Sequence, residues 1–195
     1  MHPAKETLGI ISLLVAFVSY IPYARMTIRQ AIKPHMFSWI IWGTMNAITF
    51  LAQNSRSAGP GAWATGFSAA GCFFIAVLAF RHGEKNITLG DWIAFLASLS
   101  TLPIWYATKD PLWAVLLITA INVAAFYPTL RKSWINPHEE MISQFLLSDI
   151  KHVASLLALQ NYSIVTALYP AMGLVLNTGF AATVLGRRNH RKKTT

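Results

Sequence analysis

Apolar stretches that lack Asp, Glu, Lys and Arg recur along the whole chain, and they constrain its fold more than any other feature. Several reach or approach the ~20 residues that a helix needs to cross the ~30 Å apolar core of a bilayer. Only 12% of the 195 residues are charged, about half the charged fraction of an ordinary soluble domain. The stretches are Thr7–Ala24, Met36–Ser55, Ser57–Phe80, Trp92–Thr108, Pro111–Leu130, Met141–Ser148 and His152–Gly186. This pattern predicts an all-α integral membrane protein.

Breaks and capping signals between these stretches predict seven transmembrane helices joined by short connections. Asp110 followed by Pro111 is typical of an N-cap with proline at the first helical position. The first apolar stretch leads into basic residues rather than a small-residue cleavage site, which favours a retained helix over a signal peptide. The predicted helices are Thr7–Met26, Met36–Asn54, Pro60–Phe80, Asp91–Ala107, Pro111–Arg131, Met141–Gln160 and Ser163–Gly186.

The distribution of Lys and Arg predicts how these helices are oriented. Lys5, Arg56 and Lys109 fall on one side, and twelve basic residues fall on the other. Basic loops normally remain in the cytoplasm, so we expect the N-terminus outside and the C-terminus inside. The net charge of +9 then reflects topology, and nucleic acid is not expected as a partner. A compact chain of this kind suits a bacterial inner membrane. The twelve are Arg25, Arg29, Lys33, Arg81, Lys85, Arg131, Lys132, Arg187, Arg188, Arg191, Lys192 and Lys193.

Three ionisable residues, Asp149, Lys151 and His152, lie in the middle third of the predicted sixth helix. Charges at membrane depth cost about 2.5–3.5 kcal/mol each on insertion scales and normally face a bundle interior or an aqueous cavity. Helical geometry places Asp149 and His152 on one face and turns Lys151 away from Asp149. The group serves either as an internal polar network that holds helices together or as part of a pathway for substrate, protons or ions.

The two ends of the chain resemble each other at a nearly constant offset. Pro22 and Arg25 match Pro128 and Arg131 at a shift of 106, and Pro34-His35 matches Pro137-His138 at a shift of 103. Phe74, Ala76 and Arg81 likewise match Phe180, Ala182 and Arg187 at a shift of 106. We therefore predict two three-helix repeats, residues 1–85 and 110–195, joined by a linker helix in residues 86–109. The linker adds one crossing, so the repeats should run parallel, with a substrate site between them near the midplane.

The 3+1+3 plan, with a proline near the end of the first helix of each repeat, resembles the SWEET, SemiSWEET and PQ-loop transporter superfamily. The Pro-Gln pair of that superfamily is Pro22-Tyr23 and Pro128-Thr129 here. The resemblance implies transport of a small solute, with Asn177 in the position of a substrate-binding asparagine. Independently of it, prolines within or near helix ends break a backbone hydrogen bond and kink the helix, which makes Pro22 and Pro128 candidate hinges. The repeat partner of Asn177 is Gly71, so a symmetric pair of asparagines is not expected.

The segment WIIWGTMN, Trp39 to Asn46, resembles the WxxWxxxN pattern of PnuC-type vitamin carriers. That resemblance implies a nucleoside or vitamin as substrate. Trp39, Trp42 and Asn46 recur along one helical face, suited to stacking an aromatic ring and hydrogen-bonding its edge. Chance similarity or interfacial anchoring remains the alternative reading.

These observations predict a transporter that moves a sugar, vitamin or nucleoside by alternating access, with proton coupling left open. The alternative is a receptor or regulatory protein on the same fold, and a homo-oligomer is compatible with both. No catalytic constellation, cofactor motif or metal-ligand set is expected, and the lone Cys72 is interpreted as a small buried hydrophobe. The expected substrate-binding residues are Trp42, Asn46, Asn122, Asp149, Lys151, His152 and Asn177.

Overall fold

The computed structural model describes residues 3–32, 34, 36–83, 89–135, 137 and 142–194, and this part of the chain is helical without strands. Side chains are described throughout these ranges except at 91, 94, 98, 101, 102, 105, 124–133, 135 and 190–194. Within the described ranges seven α-helices follow one another, with a 3-10 turn at Gly59–Ala62 before the third. They are α1 Pro3–Ile28, α2 Met36–Ser55, α3 Trp63–His82, α4 Leu89–Thr108, α5 Pro111–Ile135, α6 Ile142–Leu157 and α7 Ile164–Thr194.

Three helical segments in the described part are long and apolar enough to cross a membrane. They are Pro3–Ile28, Gly59–His82 and Ile164–Asn189. Large apolar side chains on these segments point away from the bundle, including Phe17, Phe74 and Val175. Their outward position is expected for a surface that meets lipid, because lipid removes the penalty that water imposes on exposed hydrocarbon.

Two helices, α3 and α7, each pack against two others: α3 against α1 and α2, and α7 against α5 and α6. The α1 helix packs as closely against α6 as against α3. Further contacts join α3 to α6, and α2 to α5 and α7. The remaining helix, α4, packs against α2 and α5.

One end of the bundle is closed by hydrogen bonds between elements that are distant in sequence. Lys5 Nζ donates to the Leu159 carbonyl at 2.7 Å, and the Gln160 amide donates to the Ala58 carbonyl at 2.9 Å. The Ser155 hydroxyl donates to the Gly61 carbonyl. These contacts bring Lys5, in the first turn of α1, to the loops that follow α2 and α6. Arg56, in the loop after α2, pairs with Asp110 beside Lys109 at 3.2 Å, so all three basic residues lie near this end of the bundle. We call this the sealed end.

The sealed end also explains why α6 is shorter than the sequence predicts. The prediction continued this helix to Gln160, but α6 ends at Leu157. The Ala158 amide still donates to Ala154, but from Leu159 on the backbone bonds no longer follow the helix, because the Leu159 amide donates to Leu156 and the Gln160 amide to Ala58. The last predicted turn is therefore used to join α6 to the 3-10 turn.

Small residues allow the elements of the sealed end to approach closely. A Cβ atom on Gly9 would lie 2.5 Å from Pro60 Cβ, and one on Gly61 would lie 2.5 Å from Leu159 Cδ2. A larger side chain at either position would force α1 or α6 away from the 3-10 turn. Close approach at small residues is a common way for helices to pack in membranes, where the hydrophobic effect contributes little.

Candidate functional site

The two faces of α6 reverse the pattern of a helix in a soluble protein. Its exposed side is apolar and recurs at helical spacing, with Leu146, Ile150, Val153 and Leu157 on one stripe. Its inward side carries polar groups at i, i+3, i+4 and i+7: Ser148, Lys151, His152 and Ser155. Because 100° separates successive residues, these two stripes lie on different sides of the helix. The sequence of α6 thus turns its amine and imidazole toward the other helices.

Lys151 reaches from α6 to α3. Its amine donates to the Ser68 hydroxyl at 3.4 Å, a long hydrogen bond. Beside it the Tyr20 hydroxyl, from α1, donates to the Ser68 carbonyl at 3.1 Å and lies 3.3 Å from Cys72 Sγ. Lys151 therefore joins a polar group formed by three helices, and Cys72, although buried, has a polar neighbour as well as apolar ones.

His152 packs against α7 at Gly173, a residue without a side chain. A Cβ atom on Gly173 would lie 2.7 Å from Nε2 of the imidazole, so glycine creates the space that the ring occupies. Tyr169, one turn earlier on α7, is close enough to Cys72 and Tyr20 to interact with them electrostatically. We call the six residues gathered here the central polar cluster: Tyr20, Ser68, Cys72, Lys151, His152 and Tyr169.

The two ionisable α6 residues in this cluster lie deep among protein atoms, yet parts of their side chains remain accessible to water. Lys151 and His152 are both intermediate in exposure, whereas their neighbours Ser68 and Cys72 are almost fully buried. The area that remains accessible lets a small polar molecule reach both side chains.

Asp149 lies apart from the central polar cluster. Its Oδ2 accepts a hydrogen bond from the Thr178 hydroxyl at 2.8 Å, and Oδ1 has no hydrogen-bond partner. Asn177 is close to the same carboxylate. Asp149 also borders an open apolar groove of about 360 Å³, whose opposite wall includes Leu8. The structure thus brings Asp149 and Asn177 together near the periphery, on the α7 side of α6, while Lys151 turns to α3.

Aromatic rings adjoin the central polar cluster on the α2 side. Trp39 packs edge-on against Trp42, with ring centroids 5.3 Å apart, and contacts Tyr23 at 4.8 Å. Tyr20 packs edge-on against Trp39 at 6.2 Å. Trp39 is therefore enclosed by other rings, whereas Trp42 packs both against this group and against the apolar cluster that contains Tyr169. Of the two tryptophans of WIIWGTMN, Trp42 is the partly accessible one.

Asn46 and Asn122 are buried residues of α2 and α5, and no hydrogen bond joins either of them to Lys151 in the described part of the chain. Asn46 Nδ2 donates to the Trp42 carbonyl of its own helix at 2.8 Å. The Asn122 amide has no hydrogen bond within the described part of the chain, and its residue is 7% exposed. Two threonine hydroxyls buried in the same two helices, Thr49 and Thr119, also have no partner there. The asparagines therefore belong to a separate polar zone.

The predicted hinges lie inside continuous helices. Pro22 is an exposed residue within α1, between the two tyrosines that contact Trp39, and it leaves the Val18 carbonyl without its i+4 donor. Pro128 falls within α5, and its side chain lies outside the described set. Their role as hinges stays a prediction. His35 and His138, which were matched in the repeat, also lie outside the described residues.

Sequence reasoning missed Tyr20, Ser68, Tyr169 and Gly173 as members of the site. Each is an ordinary residue of an apolar helix, and nothing in its local pattern distinguishes it from a packing residue. One signal was available, because Gly71 and Cys72 align with Asn177 and Thr178 at the repeat offset of 106. The offset indicated that Gly71 and Cys72 of α3 could lie near the site, but it gave no indication of the tyrosines around them.

The described part of the chain contains no group of three or more His, Cys, Asp or Glu residues placed to hold a metal ion. Comparisons with family models, curated proteins and solved structures find no match to this chain. The geometry of the central polar cluster is therefore the main guide to function.

Proposed function

We propose that this protein is an integral membrane transporter that moves a small polar solute by alternating access between two three-helix units. The observation that carries this proposal is the central polar cluster, where an amine, an imidazole and two phenols come together among α1, α3, α6 and α7, and where Lys151 and His152 stay partly accessible. Ionisable residues inside a membrane are costly, and they commonly mark substrate or ion pathways. The cluster contains side chains from α1 and α3 on one side and from α6 and α7 on the other.

The packing pattern supports a duplicated architecture. If α1, α2 and α3 correspond to α5, α6 and α7, the contact of α1 with α6 corresponds to that of α5 with α2. The contact of α3 with α6 corresponds in the same way to that of α7 with α2. Such correspondence is expected for parallel repeats related by an axis along the membrane normal, with the substrate site between them. In this architecture α4 is the linker.

The sealed end supports assignment of the structure to a state closed on one side. By the distribution of basic residues this side is the outside, which gives an N-terminus outside and a C-terminus in the cytoplasm. Transport then requires α1 and α6 to separate from the 3-10 turn at Gly59–Ala62, because Lys5, Ser155 and Gln160 hold these elements together. A bacterial inner membrane is the location we propose.

The test begins with a thermal-shift screen of the purified protein against sugars, nucleosides, vitamins and amino acids. A ligand at about 100 times its dissociation constant adds about 2.7 kcal/mol of stability. Each solute that binds is then assayed for uptake into proteoliposomes. We expect Lys151→Gln and His152→Ala to reduce uptake by about tenfold or more, whereas Lys109→Gln, on an exposed loop, leaves it unchanged.

Two results would overturn the proposal. Binding without any flux would favour the receptor or regulatory alternative. Uptake that is unchanged by both Lys151→Gln and His152→Ala would show that the solute passes elsewhere, and it would remove the central polar cluster from the mechanism.

A further inference from the structure

Lys151 is a cation without an anionic partner in the described structure. Among the described residues its one hydrogen bond is to the neutral Ser68 hydroxyl, at 3.4 Å, and no carboxylate of that set lies within 4.0 Å, the limit for an ion pair. The nearest acid on its own helix, Asp149, is directed to Thr178 on α7. The other groups that face Lys151 are the Cys72 thiol and the imidazole of His152. Asp149 attracts the amine from a distance, but among the described residues none places a negative charge within ion-pair distance of it.

An unpaired amine inside a helix bundle is expected to bind an anionic or hydrogen-bonding partner, because a buried charge is costly unless it is paired and hydrogen-bonded. The amine has three donor hydrogens, and only one is used in the long bond to Ser68. The side chain retains accessible area, so a solute that contacts it could reach the remaining donors. A carboxylate or another oxyanion satisfies both the charge and the donors.

The surroundings of the amine add a second requirement. Trp42 and Tyr169 belong to one packed apolar cluster, and Tyr20 lies beside Ser68 and Cys72. Aromatic faces and edges favour a flat, apolar or π-rich body over a heavily hydroxylated one. The site thus combines one cationic donor with aromatic neighbours.

We infer that the solute is a small monocyclic ring compound that bears a carboxylate, with Lys151 as the group that selects its charge. This inference rests on the proposed transport function and specifies its substrate class. The solute enters with its carboxylate directed to Lys151 and its ring toward Tyr20, Trp42 and Tyr169. His152, held against Gly173, provides a further polar contact on the α7 side.

Matched pairs of probes test the inference by calorimetric titration of the purified protein. Each pair has one ring and either a carboxylate or its neutral counterpart: nicotinate with nicotinamide, benzoate with benzamide, and orotate with uracil. We expect the carboxylate of at least one pair to bind about tenfold or more tightly than its neutral counterpart, as for a hydrogen bond to a charged group. Lys151→Gln and Lys151→Met should remove this preference, and Lys151→Arg and Lys109→Gln should keep it.

The outcomes separate this inference from the transport proposal. Equal or tighter binding of the neutral member in every pair overturns the anionic substrate, and so does a preference that survives both neutral replacements of Lys151. Absence of binding by all three carboxylates also overturns it. In each case the transport proposal is still tested separately, by measuring the flux of a neutral solute into proteoliposomes that contain the protein. The comparison of each carboxylate with its neutral counterpart uses the wild-type protein, so it tests the inference even if a variant fails to fold.

Discussion

Gln53 donates a hydrogen bond from its side-chain amide to the backbone carbonyl of Thr166, at 2.8 Å, across the contact between α2 and α7. The carbonyl needs this donor because Pro170 stands four residues further along α7 and has no N–H. Gln53 and Thr166 are both fully buried. A glutamine on one helix therefore supplies the bond that a proline removes from another.

This relationship predicts that Gln53 and Pro170 are energetically coupled. We expect Gln53→Met to lower the free energy of unfolding by about 1 kcal/mol, since the Thr166 carbonyl loses its donor in a buried place. The loss is moderate because Gln53 Oε1 is itself buried without a partner, and methionine removes that cost. In a Pro170→Ala background the helix can bond the carbonyl itself, so the same substitution should cost clearly less. A double-mutant cycle on unfolding in detergent measures the coupling, and additive effects would contradict it.

Gly173 should be required because it makes room for His152. We expect Gly173→Ala to destabilise the protein by about 1–3 kcal/mol, as overpacking does, and to reduce solute uptake by moving the imidazole. Gly179→Ala is the matched control on α7, because a Cβ atom there meets nothing within 4 Å. Melting curves and uptake rates of both variants provide the comparison. If His152→Ala fails to relieve the effect of Gly173→Ala, the contact is not its cause.

We expect Asp110 to stabilise the protein through its N-cap hydrogen bond and not through its ion pair with Arg56. Its Oδ1 accepts from the Leu112 amide at 3.0 Å and from Arg56 at 3.2 Å, and both charged side chains are almost half exposed. We expect Asp110→Ala to cost about 1 kcal/mol through loss of the N-cap, and Arg56→Ala to cost at most about 0.5 kcal/mol. Asp110→Asn keeps a capping oxygen and should remain close to wild type. Equal losses for Arg56→Ala and Asp110→Ala in thermal unfolding would show that the ion pair dominates.

Opening of the sealed end can be followed with a single cysteine. Cys72 is the only native cysteine, so Ala58→Cys in a Cys72→Ser background reports on one position. Ala58 is fully buried, and we expect a membrane-impermeant maleimide added outside to label it at least about tenfold more slowly than the exposed control Asn54→Cys. A transported solute should change the labelling rate at position 58 and not at 54, as alternating access requires. Equal rates at both positions would show that this end is open.

The pattern of apolar stretches predicted the helices well where local signals were strong. The predicted starts of α2 at Met36 and α5 at Pro111 are confirmed, and the N-cap at Asp110 is confirmed by its bond to the Leu112 amide. Capping and proline placement depend on a few neighbouring residues, so the sequence contains the whole cause. The end of α6 was predicted three residues too late, because the Ala58 carbonyl that captures the Gln160 amide lies about a hundred positions away.

In the candidate site, too, features with a local cause were predicted and features that depend on distant residues were not. Spacing along α6 was enough to predict that Lys151 turns away from Asp149, since a fixed angle per residue relates positions on one helix. It was not enough to predict that Asp149 meets Thr178 while Lys151 meets Ser68. Those partners depend on which helices pack beside α6 and at what depth.

The sequence by itself determined that this chain is helical and rich in apolar segments, because hydrophobic composition and helix signals act locally. It also determined that α6 carries ionisable groups among apolar ones. Only the tertiary structure decided that Tyr20, Ser68, Lys151, His152 and Tyr169 come together in one polar cluster, and that Gly173 admits the imidazole. The reason is that such a site is an intersection of four helices, fixed by side-chain packing between residues up to 149 positions apart, and no local pattern encodes that meeting.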